Sequence, residues 1–385
     1  MNRMILSLLV SGMVLLCSAC QTEQKPLVQP TDSLPESQIQ DNTLLSMDIS
    51  EIPFYEVLQL SENEQVTILD VSENRLLLNI YKDYEQNDPQ FKEEGYNSAT
   101  KRVEIYDISE GQIVSSLEMP SGAFCTDACF LQDGFAYVTL SPVKGEPAEY
   151  SIEVYENGDT TIITSGICFE TGFDEPQVEA MGDTAFAYSF YDLETKRFGV
   201  NIASTQGEIV PQISLVDDGS TEHLRTTLVG NGEKYIYYAA VESKGTIFVG
   251  DEKQLEHQFT LPRTERLYEY CFVENGILFT MEKSNAETTN KTFVVKDFEG
   301  NNLFENESTA LYRLESNGEN MVLGIDGNYS EFLTYITEGN ISTQKLDVDT
   351  VPVRFYCLSD GTFLLHHYRT SDDSSPTLLR LTVKD

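Results

Sequence analysis

The chain has no tryptophan, and it is short of cations: 25 Lys and Arg stand against 63 Asp and Glu, for a formal net charge of −38. A surplus of that size repels nucleic-acid phosphates and anionic headgroups, so neither is expected as a direct partner. Without Trp, any stacking of sugars would fall to Tyr and Phe. The histidines are His223, His257, His366 and His367, and the sole Cys-x-x-Cys, Cys17-Ser18-Ala19-Cys20, lies at the end of the N-terminal apolar run, so the body of the chain has no metal-ligand spacing and no metal or other cofactor is expected. There is no Gly-x-Ser-x-Gly elbow, His-Glu-x-x-His pair or P-loop. Ser141-Pro-Val-Lys144 matches Ser-x-x-Lys but lies in a Pro/Gly loop without the companion motifs. Asp326-Gly-Asn328-Tyr-Ser330 opens like a calcium loop, yet lacks the glycine at its sixth position and the acid at its twelfth. No catalytic residue is nominated.

Nor is any apolar run long enough to cross a bilayer as a helix, which takes about 20 residues. The run Met4 to Leu16, preceded by Arg3, fits the apolar core of a signal peptide instead. It ends in Leu16-Cys17-Ser18-Ala19-Cys20. Those small residues before a cysteine resemble the bacterial lipobox, which implies cleavage after Ala19 and acylation of Cys20; Cys17 stands where Leu is more usual. Ordinary signal cleavage after Ala19, releasing a soluble protein, is the alternative. Residues 1–19 are therefore expected to be a lipoprotein signal peptide. Residues 20–51, rich in Gln, Ser, Thr, Pro and acids and poor in aromatics, read as a flexible tether.

From residue 52 on, the chain repeats itself. Tyr270 to Glu305 shows the unit: apolar runs at Tyr270–Val273 and Ile277–Thr280 around Asn275-Gly276, a polar loop, a third run at Thr292–Val295, a Glu299-Gly300 turn, and a last run to Phe304. That is a four-stranded antiparallel meander. Turns between first and second strands recur at Glu73-Asn74, Asp133-Gly134, Gly182-Asp183, Asn231-Gly232, Asn275-Gly276, Asn317-Gly318 and Asp360-Gly361. Turns between third and fourth strands recur at Glu110-Gly111, Asn157-Gly158, Gln206-Gly207, Gly250-Asp251, Glu299-Gly300 and Glu338-Gly339. The second ladder is one short, so the last unit, whose third strand reaches Val383, lacks its outer strand. The strand-like segment Phe54 to Leu60 is expected to supply it and close a ring.

With a period of about 40–50 residues and four strands per unit, residues 52–385 resemble a seven-bladed β-propeller, of WD40/YVTN-like or quinoprotein-like layout. The resemblance is to an architecture. No Trp-Asp pair, tryptophan docking motif or sialidase Asp-box is present. The expected fold class is all-β, a β-propeller of seven four-stranded blades whose last blade is closed by the N-terminal strand. Six or eight blades, or a pair of β-sandwiches, are the alternatives.

This strand order puts the tight turns on one face and the second-to-third-strand loops and blade connections on the other. The second face carries the long loops, where binding usually resides. The longest, Lys82 to Thr100, holds Tyr84, Phe91 and Tyr96, either contact anchors or aromatics packed on the blade rim. His366, Tyr368 and Arg369 approach the same face and are candidates for the channel mouth; His366 and His367, adjacent in a strand, point to opposite faces. Cys129, Cys271 and Cys357 fall on innermost strands, and Cys125, Cys129, Cys168, Cys271 and Cys357 read as buried thiols or as thiols with one local bridge. The expectation is an extracytoplasmic propeller, lipid-anchored to the cell membrane or outer membrane, that acts as a binding or interaction scaffold at the cell envelope. Its partner would be a protein or a small ligand on the long-loop face. A hydrolase or lyase acting on an extracellular polymer, or a solute-binding sensor, is the alternative.

Overall fold

The computed structural model describes residues 45–61, 63–83, 98–141, 148–168, 175–217, 225–241, 244–262, 264–284, 289–307, 311–337, 340–346, 351–368 and 376–384, with no helix among them. Strand β1 (Ser46–Ile52) comes first. Blade 1 follows as β2 (Glu64–Ser72), β3 (Arg75–Asp83), β4 (Ser98–Asp107) and β5 (Gln112–Glu118). Blade 2 is β6 (Phe124–Leu131), β7 (Gly134–Ser141), β8 (Ala148–Glu156) and β9 (Asp159–Cys168). Blade 3 is β10 (Val178–Ala180), β11 (Ala185–Asp192), β12 (Arg197–Ser204) and β13 (Ile209–Val216). Blade 4 is β14 (Arg225–Gly230), β15 (Lys234–Val241), β16 (Lys244–Asp251) and β17 (Leu255–Thr260). Blade 5 is β18 (Glu265–Val273), β19 (Gly276–Ser284), β20 (Thr289–Lys296) and β21 (Asn302–Glu307). Blade 6 is β22 (Tyr312–Ser316), β23 (Met321–Ile325), β24 (Glu331–Thr337) and β25 (Asn340–Lys345). Blade 7 is β26 (Val351–Cys357), β27 (Phe363–Tyr368) and β28 (Pro376–Lys384), with β1 antiparallel on its outer side, Ser46 opposite Lys384 and Ile52 opposite Leu378.

The protein is thus a seven-bladed β-propeller whose N-terminal strand completes the last blade. Burial explains why the chain folds this way. Second strands are buried on both faces, as in the Phe135–Leu140 run of β7, whereas outer strands such as β5 alternate exposed and half-buried. Apolar side chains fill the seams between blades: Leu77 and Val103 meet Phe130 and Tyr137, and Val138 and Ile152 meet Val178 and Phe186. Val200 meets Tyr237, Ile236 meets Phe279, Leu333 meets Phe355, and Tyr356 and Leu364 meet Ile68 and Leu76. Blades 5 and 6 join through Thr280, whose hydroxyl donates to Leu311 O at 2.8 Å, and through the edge-on rings of Tyr268 and Tyr312.

Two local expectations are corrected. The closing strand is β1, not Phe54–Leu60. That segment instead turns on itself, with Val57 and Leu58 N–H groups donating to Phe54 O at 3.0 and 3.3 Å. Phe54 and Leu58, four residues apart and buried, plug the seam between blades 7 and 1. The spacing is that of a helical turn rather than a strand. The tight turns between the first and second strands of blades 2 and 5 also sit one residue earlier than Asp133-Gly134 and Asn275-Gly276, because both glycines already belong to the second strand. A Cβ on Gly134 would lie 1.8 Å from Tyr155 O, and one on Gly276 would lie 2.0 Å from Lys296 O. Glycine is required there by the close approach of the third strand.

Candidate functional site: the ring of inner strands

Each blade's first strand (β2, β6, β10, β14, β18, β22, β26) pairs on one side with the second strand of its blade and leaves its other edge toward the axis. That edge carries backbone N–H and C=O groups that need partners. The neighbouring blade supplies them. Asp70 Oδ2 accepts from Phe130 N at 2.7 Å, and Asp127 Oδ2 accepts from Val178 N at 2.9 Å. Gln177 Oε1 accepts from Leu228 N at 2.9 Å, and the Glu179 carboxylate accepts from Gly230 N. Glu269 Oε2 accepts from Arg313 N at 3.4 Å, and Glu315 accepts from Cys357 N. Every one of these bonds runs from a side chain of one blade to the backbone of the next.

Bulges aim these side chains. The ladder between first and second strands slips just before Asp70, Asp127, Glu269, Glu315 and Arg354, so in five blades the residue that ends the bulge is the charged one. The charged groups meet around the axis: Arg354 feels Asp127 of blade 2, Glu179 of blade 3 and Glu315 of blade 6. Arg354 is exposed, no carboxylate of the described residues lies within 4.0 Å of it, and its guanidinium sits 5.7 Å over the Tyr356 ring.

Desolvation dominates the electrostatics of the ring. Burial, only partly offset by the backbone N–H bonds, pushes the carboxyls of Asp70 and Asp127 up to about 6 and that of Glu315 up to about 8. Glu179 and Glu269 are raised by the same cause, Glu179 further by the charges of Asp127 and Asp70. Chemically the ring can hold protons near neutral pH, while each carboxylate is already engaged with a neighbouring strand. Among the described residues, no group of three or more His, Cys, Asp and Glu is arranged to hold a metal ion.

A second buried polar pair lies farther from the axis. His367 Nε2 on β27 is 2.5 Å from Glu331 Oε1 on β24, both shut off from water at the seam of blades 6 and 7.

His366, expected at the channel mouth, is instead 2% exposed. It lies one strand behind the channel as the cross-strand partner of Arg354, with its Nε2 paired to the Tyr55 hydroxyl of the plug. Burial, then the neighbouring His367 and Arg354, pulls its pKa down to about 4. Tyr368 ends β27, and its side chain lies outside the described residues, as do Arg369, Tyr84, Phe91, Tyr96 and Cys20. Cys125, Cys129, Cys271 and Cys357 all lie on inner strands as free thiols, the first three buried.

The ring itself was missed from sequence. Its signal was a charged residue recurring within the apolar first run of the repeat, as in Ile68-Leu69-Asp70-Val71 and Thr126-Asp127-Ala128.

No family model matches the chain, and no curated protein matches it. Solved structures do. It is similar to U3-55K at 9% identity, over 86% of this chain and 98% of that one, with a TM-score of 0.50. It is similar to the hydrazine synthase of Kuenenia stuttgartiensis at 8% identity, over 82% and 96%, also at 0.50. The propeller domain of the Trilobed protease from Pyrococcus furiosus aligns at 14% identity over 69% and 85%, with a TM-score of 0.49. At these identities the likeness is one of fold alone.

Proposed function

We propose that this propeller is a binding scaffold at the cell envelope, held outside the cytoplasm by acylated Cys20 and meeting a protein partner through its long-loop face. One observation carries the binding half of that reading. The titratable groups around the axis hold neighbouring blades together, so the chemistry-bearing side chains are spent on closure. The Leu16–Cys20 sequence supports the anchor. Mass spectrometry of the mature N-terminus should find Cys20 diacylated, and Cys20→Ser should release the protein from membranes; an unmodified, soluble wild type would overturn the anchor. Affinity capture from the native envelope should recover a partner that is lost when residues 84–97 are deleted. Recovery unchanged by the deletion would remove that loop from the interface.

A polymer-cleaving enzyme is the second reading, favoured by the Glu315 carboxyl held protonated up to about pH 8. It predicts that Glu315→Gln abolishes depolymerisation of envelope or extracellular polymers while the fold persists. Absence of any such activity in the wild type counts against it.

A further inference from the structure

The outer rim is not uniform. Outer strands are sheet edges, and natural edges are guarded by charge, proline or shortness. β1 carries Asp48 and Glu51, β17 Glu256, β21 Glu305 and Glu307, and β25 Lys345, while β5 is only 7 residues long and ends on Glu118, and β13 is interrupted by Pro211. β9, with 10 residues, is the longest of the seven and reads Asp-Thr-Thr-Ile-Ile-Thr-Ser-Gly-Ile-Cys, its one charge at its first position. It presents Ile162, 65% exposed, and Ile167; β1, β5 and β21 each expose a single large apolar side chain, and β13, which exposes Ile209, Val210 and Val216, is broken as a pairing edge by Pro211. The acid beside Ile162 on the next strand, Glu153, is turned to Tyr137 and Ser151, which donate to it, so it does not guard the edge. Among the described residues, nothing pairs with the outer side of β9.

We propose that β9 is a pairing edge for a second copy of this chain. Two β9 strands run antiparallel about a two-fold axis and merge the second blades of both copies into one continuous sheet. Charge selects this occupant. A cationic strand would gain more from the acidic edges than from this one, whereas an uncharged strand suits it, and β9 of a second copy is such a strand. Antiparallel self-pairing sets each Asp159 toward the uncharged far end of its partner, so no like charges face each other. The same operation on β1 or β21 brings carboxylates together. The net charge of −38 on each copy opposes association, so the dimer tightens as salt screens it.

Sedimentation equilibrium of the full chain in density-matched detergent, at low and high salt, reads the association directly. A monomer–dimer equilibrium that strengthens with salt is expected, and Ile162→Lys and Ile162→Glu should each weaken it at least tenfold. An equimolar mixture of the two variants should restore it, a rescue that a misfolded blade cannot give. Val210→Lys on β13 should leave it unchanged. A chain that stays monomeric at both salts, or a dimer indifferent to the Ile162 variants, or variants that mixing does not rescue, overturns the proposal. None of these outcomes bears on Cys20 or on the long-loop face.

Discussion

Five seams of the propeller are joined at the axis in one way and two in another. Between blades 1 and 2, 2 and 3, 3 and 4, 5 and 6, and 6 and 7, an acid or amide side chain accepts a backbone N–H of the next blade. Between blades 4 and 5, and again between 7 and 1, a tyrosine hydroxyl donates to a backbone carbonyl: Tyr270 to Thr227 O at 2.9 Å and Tyr356 to Ile68 O at 2.7 Å. The first kind responds to pH in the neutral range where Asp70, Asp127 or Glu315 makes it. The second does not, because burial raises both tyrosines above their ordinary value of 10.0. The odd seams have local causes. β14 reads Arg-Thr-Thr-Leu-Val-Gly and offers no acid, and the seam of blades 7 and 1 presents Arg354 where others present a carboxylate.

The largest effect is expected where a tyrosine seam depends on something besides its hydroxyl. Phe54 is fully buried between blades 7 and 1, so Phe54→Ala should cost about 3–5 kcal/mol in denaturant unfolding. A loss below about 1 kcal/mol would show that the plug is dispensable.

Next comes the carboxylate seam itself. Asp127→Ala leaves Val178 N without its acceptor, an orphaned group worth about 1–3 kcal/mol, whereas Asp127→Asn keeps an oxygen there. Asn should therefore be more stable than Ala by about that amount, and equal stabilities would mean the bond contributes nothing.

The pH response sharpens the contrast further. A carboxyl raised in the folded state binds protons there that the unfolded chain has already released, so its stabilisation is complete below the ordinary pKa and is lost as pH rises through the raised one. For Glu315 that window runs from 4.5 to about 8. His366 acts oppositely: lowered from 6.5 to about 4, it removes stability as pH falls between those values and is silent above them. Between pH 6.5 and 8 the acids act without it, and Tm should fall as pH rises. Glu315→Gln should flatten that slope, and a slope unchanged in the variant would remove Glu315 from the account.

The smallest effect is expected at Tyr270. Tyr270→Phe should cost about 1 kcal/mol and leave the slope between pH 6.5 and 8 as it was. A changed slope would tie the tyrosine seam to the titrating ring.

How much of this was legible follows from the same physics. The blade count came from turn chemistry, since Asn157-Gly158, Gly232 and Gly361 adopt the positive φ that their residue types announce. The closing strand did not. β1 is solvated on nearly its whole length, with Ile52 alone buried, so it carries no apolar alternation, while the better pattern at Phe54 and Leu58 belonged to a plug. The ring stayed hidden because no blade contributes more than a single charged residue, and in five of them the bulge that aims it breaks the alternation that would have marked its direction.

β1 and its partner stand at opposite ends of the sequence, and that separation sets an order of events. Its pairing partners run from Leu378 to Lys384 in blade 7, so whatever the earlier blades do, β1 must wait through the synthesis of all the strands between. A segment that waits unpaired is safest when it is polar, and Ser46, Asp48, Ser50 and Glu51 make it so. The features that hid this strand from pattern reading are those that let it stay soluble until its place exists.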